Sequence, residues 1–383
     1  MSEQTFEELE KIHQAQGPAA AIDHLIAVLR AEKRFHPLFD ALLMKKRLDL
    51  GLGLVRPMSL KDIPDEKRDE FEKLYVDAAR EIGQLLLSEK MIPQAWNYLR
   101  AINEPQKVAE AIAALPEGEA VPDDVIEIAL FQGVNPAKGL SLYLAAHGTC
   151  STITAFEQLS LQLPPEVRRQ CAQALVRKLY DDLRENVEHD VLRRQPMNPP
   201  GQCLRELIAG RESLFADDSY HIDVSHLNAV VRFARGLDAS CPELDLALQL
   251  AQYGARLAKQ YQYAGNPPFD DFYPAHIQYF QALLGANRDA ALAYFRSKIG
   301  EDVADTDNQL AAFALVDLLL RLERRNEALE LACRYLADSA DEFGLSLPEL
   351  CAQSGRLDLL MNLARSKGDV VNYAAALLGN CRS

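Results

Sequence analysis

Residues 311–336 read AAFALVDLLLRLERRNEALELACRYL, and this stretch decides the fold class. Its pattern predicts a pair of helices. In the first helix, Ala311–Leu322, apolar residues lie on both an inner and an outer stripe, as in a helix packed between two others. A two-helix unit cannot bury its apolar face alone, so we expect the pair to stack on neighbouring pairs.

Similar pairs flank this one along the chain. Upstream, Ile277–Gly285 and Asp289–Ile299 form such a pair, and Ala290 precedes its counterpart Ala328 by 38 positions. Downstream, residues 347–366 predict a third pair that would cap the array. The C-terminal third is therefore predicted to repeat one helical unit.

From about Asp270 to Leu378 the chain resembles the tetratricopeptide-like repeats, with a spacing longer than the roughly 34 residues of the standard repeat. The resemblance implies a right-handed α-solenoid of antiparallel helix pairs. It also implies a binding module that holds a protein or peptide partner in a concave groove. No stretch alternates polar and apolar residues as a strand does, so the sequence predicts an all-α protein with no sheet.

Helical patterns bounded by Pro or Gly also fill the rest of the chain, and they predict three regions of one continuous array. These are an N-terminal helical region (1–160), a central region rich in His and Asp (161–285) and the C-terminal helical repeats (286–383).

The charge balance excludes some classes of partner. The chain has 56 acidic and 41 basic residues and a net charge of -15, which argues against nonspecific binding to nucleic acid or to anionic membranes. Apolar runs such as Leu318–Leu320 are too short to span a membrane. The acidic N-terminal segment and seven widely spaced cysteines favour a cytoplasmic protein with reduced thiols. The oligomeric state is left open.

The stretch from Asp181 to Phe280 contains the candidate functional residues. It holds half of the eight histidines, many carboxylates and two Asn-Pro-Pro turns. The turns are at 198–200 and 266–268, and the histidines are His189, His221, His226 and His276.

The first histidine lies on a long predicted helix, from Pro164 to about Arg194. Asp182, Glu185 and His189 share one face of it, and a carboxylate one turn before a histidine can place two ligands on a metal. The alternative is a solvated face with ordinary surface ion pairs.

The second segment is His221-x-Asp223-x-x-His226, at the predicted start of a helix over Val224–Leu237. His and Asp side chains at this spacing suit zinc, iron or manganese. The alternative is structural: Asp223 caps the helix, and His226 is a half-buried, hydrogen-bonded residue.

The third segment, QYAGNPPFDDFYPAHIQYFQALLG, begins at Gln262 and is the most aromatic part of the chain. Phe269 and Tyr273 could form a pocket wall that holds a ligand or cofactor, near His276. The alternative is an aromatic core between repeats, with Asp270 or Asp271 as the helix cap.

Convergence of these segments would create a metal site. Its predicted ligands for a divalent zinc, iron or manganese ion are His189, His221, Asp223, His226 and His276. A carboxylate, Glu185 or Asp271, would be the general base that acts on a metal-bound water. The alternative to the binding module is thus an all-α metal-dependent enzyme or small-ligand binder, and the positions of the four histidines discriminate between these functions.

Overall fold

The computed structural model describes residues 3–116, 120–194 and 201–379. Over these ranges the chain forms nineteen α-helices and no strand, with one isolated bridge between Ala264 and Asp271. The prediction of an all-α protein is confirmed. Within the same ranges, no helix combines the length and the apolar character that crossing a membrane requires. The predicted turn at 198–200 lies outside the described residues.

The chain packs as two compact units, Met1–Gly148 and Thr149–Ser383. The division lies at Gly148, where a helix is interrupted by a backbone with φ 77° and ψ 176°. Such a positive φ favours glycine, because a side chain there would be strained. The regional boundaries at 160 and 285 stay a prediction from the sequence.

In the first unit, α1 to α5 pack consecutively. Its helices are α1 (Glu3–Gln16), α2 (Pro18–Ala31), α3 (Phe35–Asp49), α4 (Asp65–Ser88), α5 (Ile92–Ala101), α6 (Gln106–Ala113), α7 (Asp123–Ile126), which continues as a π-helical turn (Glu127–Phe131), and the start of α8 (Pro136–Leu159).

A buried arginine in α3 holds the long loop between α3 and α4. The Arg47 side chain is fully buried, and its guanidinium donates to the carbonyls of Gly53 and Ser59 and to the carboxylate of Asp62. Burying a cation is costly unless it is paired and hydrogen-bonded, and here every branch of the guanidinium has an acceptor. The loop is thus fixed by one side chain.

The second unit begins with the part of α8 that follows Gly148. The other helices of this unit are α9 (Pro165–Arg194), α10 (Leu204–Ile208), α11 (Val224–Phe233), α12 (Glu243–Gly254), α13 (Phe272–Leu283), α14 (Arg288–Ser297), α15 (Thr306–Arg321), α16 (Arg325–Tyr335), α17 (Leu347–Gln353), α18 (Leu357–Lys367) and α19 (Val370–Gly379).

The long helix α9 organises the first half of this unit. Its buried residues Leu175, Leu179 and Leu183 recur every fourth position, which places them on one face. Helices α10, α11 and α12 pack against α9, and α12 in turn packs against α13. From there α13 to α16 pack consecutively, and α15 lies between α14 and α16, as its two apolar stripes predict.

Replacement of Arg47 by Met is expected to lower the free energy of unfolding by about 2–4 kcal/mol, because two carbonyls and a carboxylate lose their donor. Arg47→Lys should recover little of this, since one ammonium cannot reproduce the planar fork. Urea denaturation followed by circular dichroism measures the change.

The matched control is Lys45→Met on the same helix. Lys45 forms an exposed ion pair with Asp23, so its loss should change stability by less than about 1 kcal/mol. Equal effects of the two substitutions would contradict the anchoring role of Arg47.

Candidate functional site

A cavity of about 710 Å³ lies in the second unit. Its walls come from the part of α8 after Gly148, from α11 and the turn that follows it, from residues 260–269 and from α13. This volume is within the range of roughly 300–1,000 Å³ that small-molecule sites occupy. The cavity is therefore large enough for a drug-sized ligand or for one or a few residues of a peptide.

The aromatic wall is built by the loop that precedes α13. Gly265 N–H donates to the carbonyl of Asp270 at 3.3 Å, and Phe269 N–H donates to the carbonyl of Asn266 at 2.8 Å. A Cβ atom on Gly265 would lie 1.9 Å from the carbonyl oxygen of Phe269, so this close turn requires glycine. The turn places the buried Phe269 ring against the cavity.

Arg235 brings a positive charge to this wall. It lies in the 3-10 turn Ala234–Gly236 that follows α11, half-buried, with its guanidinium carbon 4.6 Å from the centroid of the Phe269 ring. Its Nε donates to the carbonyl of Arg232 at 3.3 Å. No carboxylate among the described residues is within ion-pair distance of it. Burial lowers the pKa of Arg235, and the charge of Arg232 acts in the same direction, but an arginine remains a cation at neutral pH.

Asp317, the carboxylate whose charge acts on Arg235, already has other partners. Asp317 on α15 accepts from the hydroxyl of Tyr279 on α13 and forms an ion pair with Arg321 at 3.1 Å. Arg321 also donates to the carbonyl of Leu237 at 2.9 Å, directly after the turn that carries Arg235. These bonds tie α13 and α15 to that turn, and they leave Asp317 to act on Arg235 only through space.

The neighbouring arginine of the cavity has a partner. Arg232 on α11 forms an ion pair with Glu157, at the end of α8. Among the described residues that line the cavity, Arg235 is therefore the one lysine or arginine whose charge has no carboxylate partner.

His276 contributes a hydrogen-bond acceptor. Its ring lies 4.5 Å from the Phe269 ring and 4.3 Å from the Phe272 ring, centroid to centroid, and the side chain is fully buried. Nδ1 is 2.6 Å from the carbonyl oxygen of Phe272. Since a carbonyl only accepts, Nδ1 carries the hydrogen, and Nε2 is left as an acceptor with no partner in the described structure. Burial, with the nearby charge of Arg235, lowers the pKa of His276 to about 3, so the ring is neutral.

A second buried acceptor lines the same cavity. Oδ1 of Asn228, one turn before Arg232 on α11, also has no hydrogen-bond partner among the described residues. A buried polar atom without a partner costs about 1–3 kcal/mol. Asn228 and His276 thus each hold a buried acceptor that is unsatisfied in the described structure.

His221 lies elsewhere, beside an open depression of about 360 Å³ that His189 also lines. Nε2 of His221 is 3.2 Å from the carboxylate of Asp190, and Nδ1 is 2.8 Å from the hydroxyl of Tyr253. Burial raises the pKa of Asp190, but hydrogen bonds from Arg194, Arg193 and His221 outweigh it and hold that pKa well below its usual range. Both ring nitrogens of His221 are thus engaged in a network that joins α9 to α12.

The predicted metal ligands do not form one group. His226 and His276 line the cavity, whereas His189 and His221 line the depression. Asp223 caps α11 and accepts from the backbone N–H of Ser225 at 2.8 Å and of His226 at 3.3 Å. In the described parts of the chain, no three His, Cys, Asp or Glu side chains are grouped so that they could hold a metal ion.

The other predicted site residues do not lie together at the cavity either. Phe269 lies at the cavity wall, whereas Tyr273 is buried against Gly254 and does not line the cavity. The predicted general bases Glu185 and Asp271 are both exposed, and Asp271 makes no side-chain bond at the start of α13. Neither carboxylate lines the cavity or the depression.

Four residues that matter here are not predicted from the sequence: Arg235, Asn228, Asp190 and Tyr253. Arg232 and Arg235 are three positions apart in the predicted helix Val224–Leu237, which predicts an arginine pair on one face but not which of the two lacks a partner. Asp190 and His221 are 31 positions apart, and nothing in their local pattern predicts the contact.

Comparisons with protein-family models, with curated proteins and with solved structures find no match for this chain.

Replacement of His276 by Phe is expected to flatten the pH dependence of stability below pH 6.5. The pKa of His276 falls from an ordinary 6.5 to about 3 on folding, so at falling pH the unfolded chain takes up a proton first. The contribution of the neutral His276 ring to the free energy of unfolding is complete above pH 6.5. It is lost towards pH 3, at up to about 1.4 kcal/mol per pH unit. Urea denaturation at about pH 7.5 and about pH 5 measures the effect. Between these pH values the free energy of unfolding should fall by about 2 kcal/mol more in the wild type than in His276→Phe.

The control is His13→Gln, which removes an exposed histidine from α1. It should keep the wild-type pH dependence. A His276→Phe variant with the same pH dependence as the wild type would contradict a neutral, buried ring.

Proposed function

We propose that this chain is an all-α binding protein whose second unit binds a small organic anion in the cavity beside Arg235. One observation carries the proposal: a half-buried guanidinium stacks on Phe269 at the cavity wall and has no carboxylate partner among the described residues. A partly desolvated cation of this kind gains most from an anionic ligand, because the interaction is only weakly screened by solvent.

The net charge of the chain does not oppose this function. Although the whole chain carries -15, the lining residues include two arginines and one carboxylate, Glu157, which is paired with Arg232. Local charge decides the preference of an enclosed site, since exposed charges beyond about 10 Å are largely screened at ordinary salt. The local balance favours one negative charge on the ligand.

The remaining walls favour an aromatic or apolar body on the ligand. Phe269, Phe272 and Tyr263 line the cavity, and the rings of Tyr263 and Phe272 contact each other edge to face at 5.5 Å. Aromatic walls with a few placed polar groups are typical of small-ligand sites.

The finer architecture is also part of the proposal. Consecutive packing from α13 to α16, followed by α16 on α17, α17 on α18 and α18 on α19, supports a tetratricopeptide-like, right-handed solenoid of antiparallel pairs. A protein or peptide partner in its concave groove stays a prediction, as does the cytoplasmic location. Metal-dependent catalysis is not part of the proposal, because the predicted ligands lie in separate places.

Replacement of Arg235 by Met is expected to lower the affinity for 3-phenylpropanoate by about tenfold or more, because the carboxylate loses a charge-assisted hydrogen bond. The wild type should likewise prefer this carboxylate to the neutral 3-phenylpropanamide. Arg235→Lys should keep part of the affinity, since it keeps the charge but loses the fork. Isothermal titration calorimetry on the full chain measures each constant.

The matched control is Arg296→Met on α14, which removes an exposed arginine paired with Glu327 and remote from the cavity lining. It should leave the affinity unchanged. Equal binding of the carboxylate and the amide by the wild type, or no binding of the carboxylate at millimolar concentration, would overturn the proposal, even if Arg235→Met failed to fold.

A further inference from the structure

We infer that Cys333 on α16 and Cys351 on α17 form a reversible redox pair, in which a hydroperoxide converts the two thiols into one disulfide. Both cysteines are free thiols in the structure. The observation that carries the inference is a contact: the two side chains share a hydrogen bond where α16 packs on α17. The inference goes beyond the anion site at Arg235 and does not depend on it.

The fold brings together two cysteines that are 18 positions apart in the chain. Cys333 directly follows the buried Ala332 on α16, and Cys351 is a fully buried residue of α17. Cys333 itself is only half-buried. One member of the pair thus has surface that a small oxidant can reach from solvent, whereas the other is enclosed by the packing.

The hydrogen bond gives the two thiols different roles. The S–H of Cys351 donates to the sulfur of Cys333, and this bond, with the charge of Arg356, outweighs burial and lowers the pKa of Cys333 to about 7. The same bond, with burial, raises the pKa of Cys351 well above its ordinary value. Because the thiolate is the nucleophile, Cys333 attacks the oxidant and Cys351 keeps its proton until the second step.

The positive charge beside the pair is fixed in place but shared. The backbone N–H of Arg356, between α17 and α18, donates to the carbonyl of Cys351 at 2.9 Å. The guanidinium of Arg356 forms an ion pair with Asp358 at 3.0 Å. Since this carboxylate offsets part of the charge, the hydrogen bond between the two thiols is the stronger influence on Cys333.

The reaction balances in two steps. The Cys333 thiolate attacks one oxygen of the hydroperoxide, the O–O bond breaks, and the departing hydroxide or alkoxide takes up a proton, so Cys333 becomes a sulfenic acid. The Cys351 sulfur then loses its proton and attacks the Cys333 sulfur. The S–S bond forms, the S–O bond breaks, and the departing hydroxide takes up the proton as water. Two electrons pass from the thiols to the hydroperoxide.

The first step also activates the second thiol. The largest cause of the raised pKa of Cys351 is its hydrogen bond to Cys333. A sulfenic acid at Cys333 no longer offers the negative charge that holds this proton. Oxidation of Cys333 therefore releases Cys351 for its own attack.

Peptide mapping of the full chain after exposure to hydrogen peroxide tests the pair. Remaining thiols are blocked with iodoacetamide before digestion. Trypsin cleaves after Arg325, Arg334 and Arg356, so the two cysteines fall in separate peptides, 326–334 and 335–356. We expect these peptides to be recovered joined, at a mass about 2 Da below the sum of the reduced peptides, and to be separated by dithiothreitol.

Variants distinguish the two roles. In Cys351→Ser, which keeps a hydrogen-bond donor, the sulfenic acid should persist on Cys333 and be trapped by dimedone. In Cys333→Ser, dimedone should leave Cys351 unlabelled. Cys203→Ser is the matched control, because Cys203 is also half-buried, and it should leave the joined peptides unchanged.

Three results would overturn the inference. These are sulfinic acid on Cys333 without a link to peptide 335–356, recovery of both peptides unmodified after excess peroxide, or linking of Cys203 as often as of Cys333. The wild-type map decides the matter even if a serine variant does not fold. None of these results affects the anion site at Arg235, which titration with 3-phenylpropanoate tests by itself.

Discussion

A guanidinium that stacks on an aromatic ring without a carboxylate partner is the interaction on which the rest of the cavity depends. Arg235 could lower its own energy by pairing with Asp317, but that carboxylate is held by Tyr279 and Arg321. The result is a cation without a carboxylate partner among the described residues. Sites of this kind are pre-organised, because the cost of placing the charge is met during folding and not during binding.

The same bonds hold together the elements that form the cavity wall. Arg321 reaches the carbonyl of Leu237, so α15 is tied to the turn that carries Arg235. Gly265 permits the tight loop that sets the Phe269 ring below the guanidinium. The bonds that hold the helices of the second unit together therefore also position the cavity wall.

Local patterns were sufficient for the helices and for some of their ends. The apolar stripes of residues 311–322 predicted a helix packed on both sides, and Asp223 has the cap role that its position before α11 suggests. The aromatic segment around Phe269 also predicted a wall. Contacts between residues that are far apart in the sequence could not be predicted. His221 bonds to Asp190 and Tyr253 through both ring nitrogens, and no local spacing reveals this. Whether an arginine is paired or unpaired likewise depends on the whole neighbourhood, so Arg235 and Arg232 look equivalent in sequence and differ in the fold.

The interruption of α8 at Gly148 determines how the chain can be dissected. Residues 150–157 follow it, belong to the second unit and supply a wall of the cavity. A fragment that starts at Thr149 keeps Glu157, and with it the neutralised Arg232. A fragment cut at residue 161 would lose that carboxylate, and its cavity lining would carry two uncompensated guanidiniums in place of one.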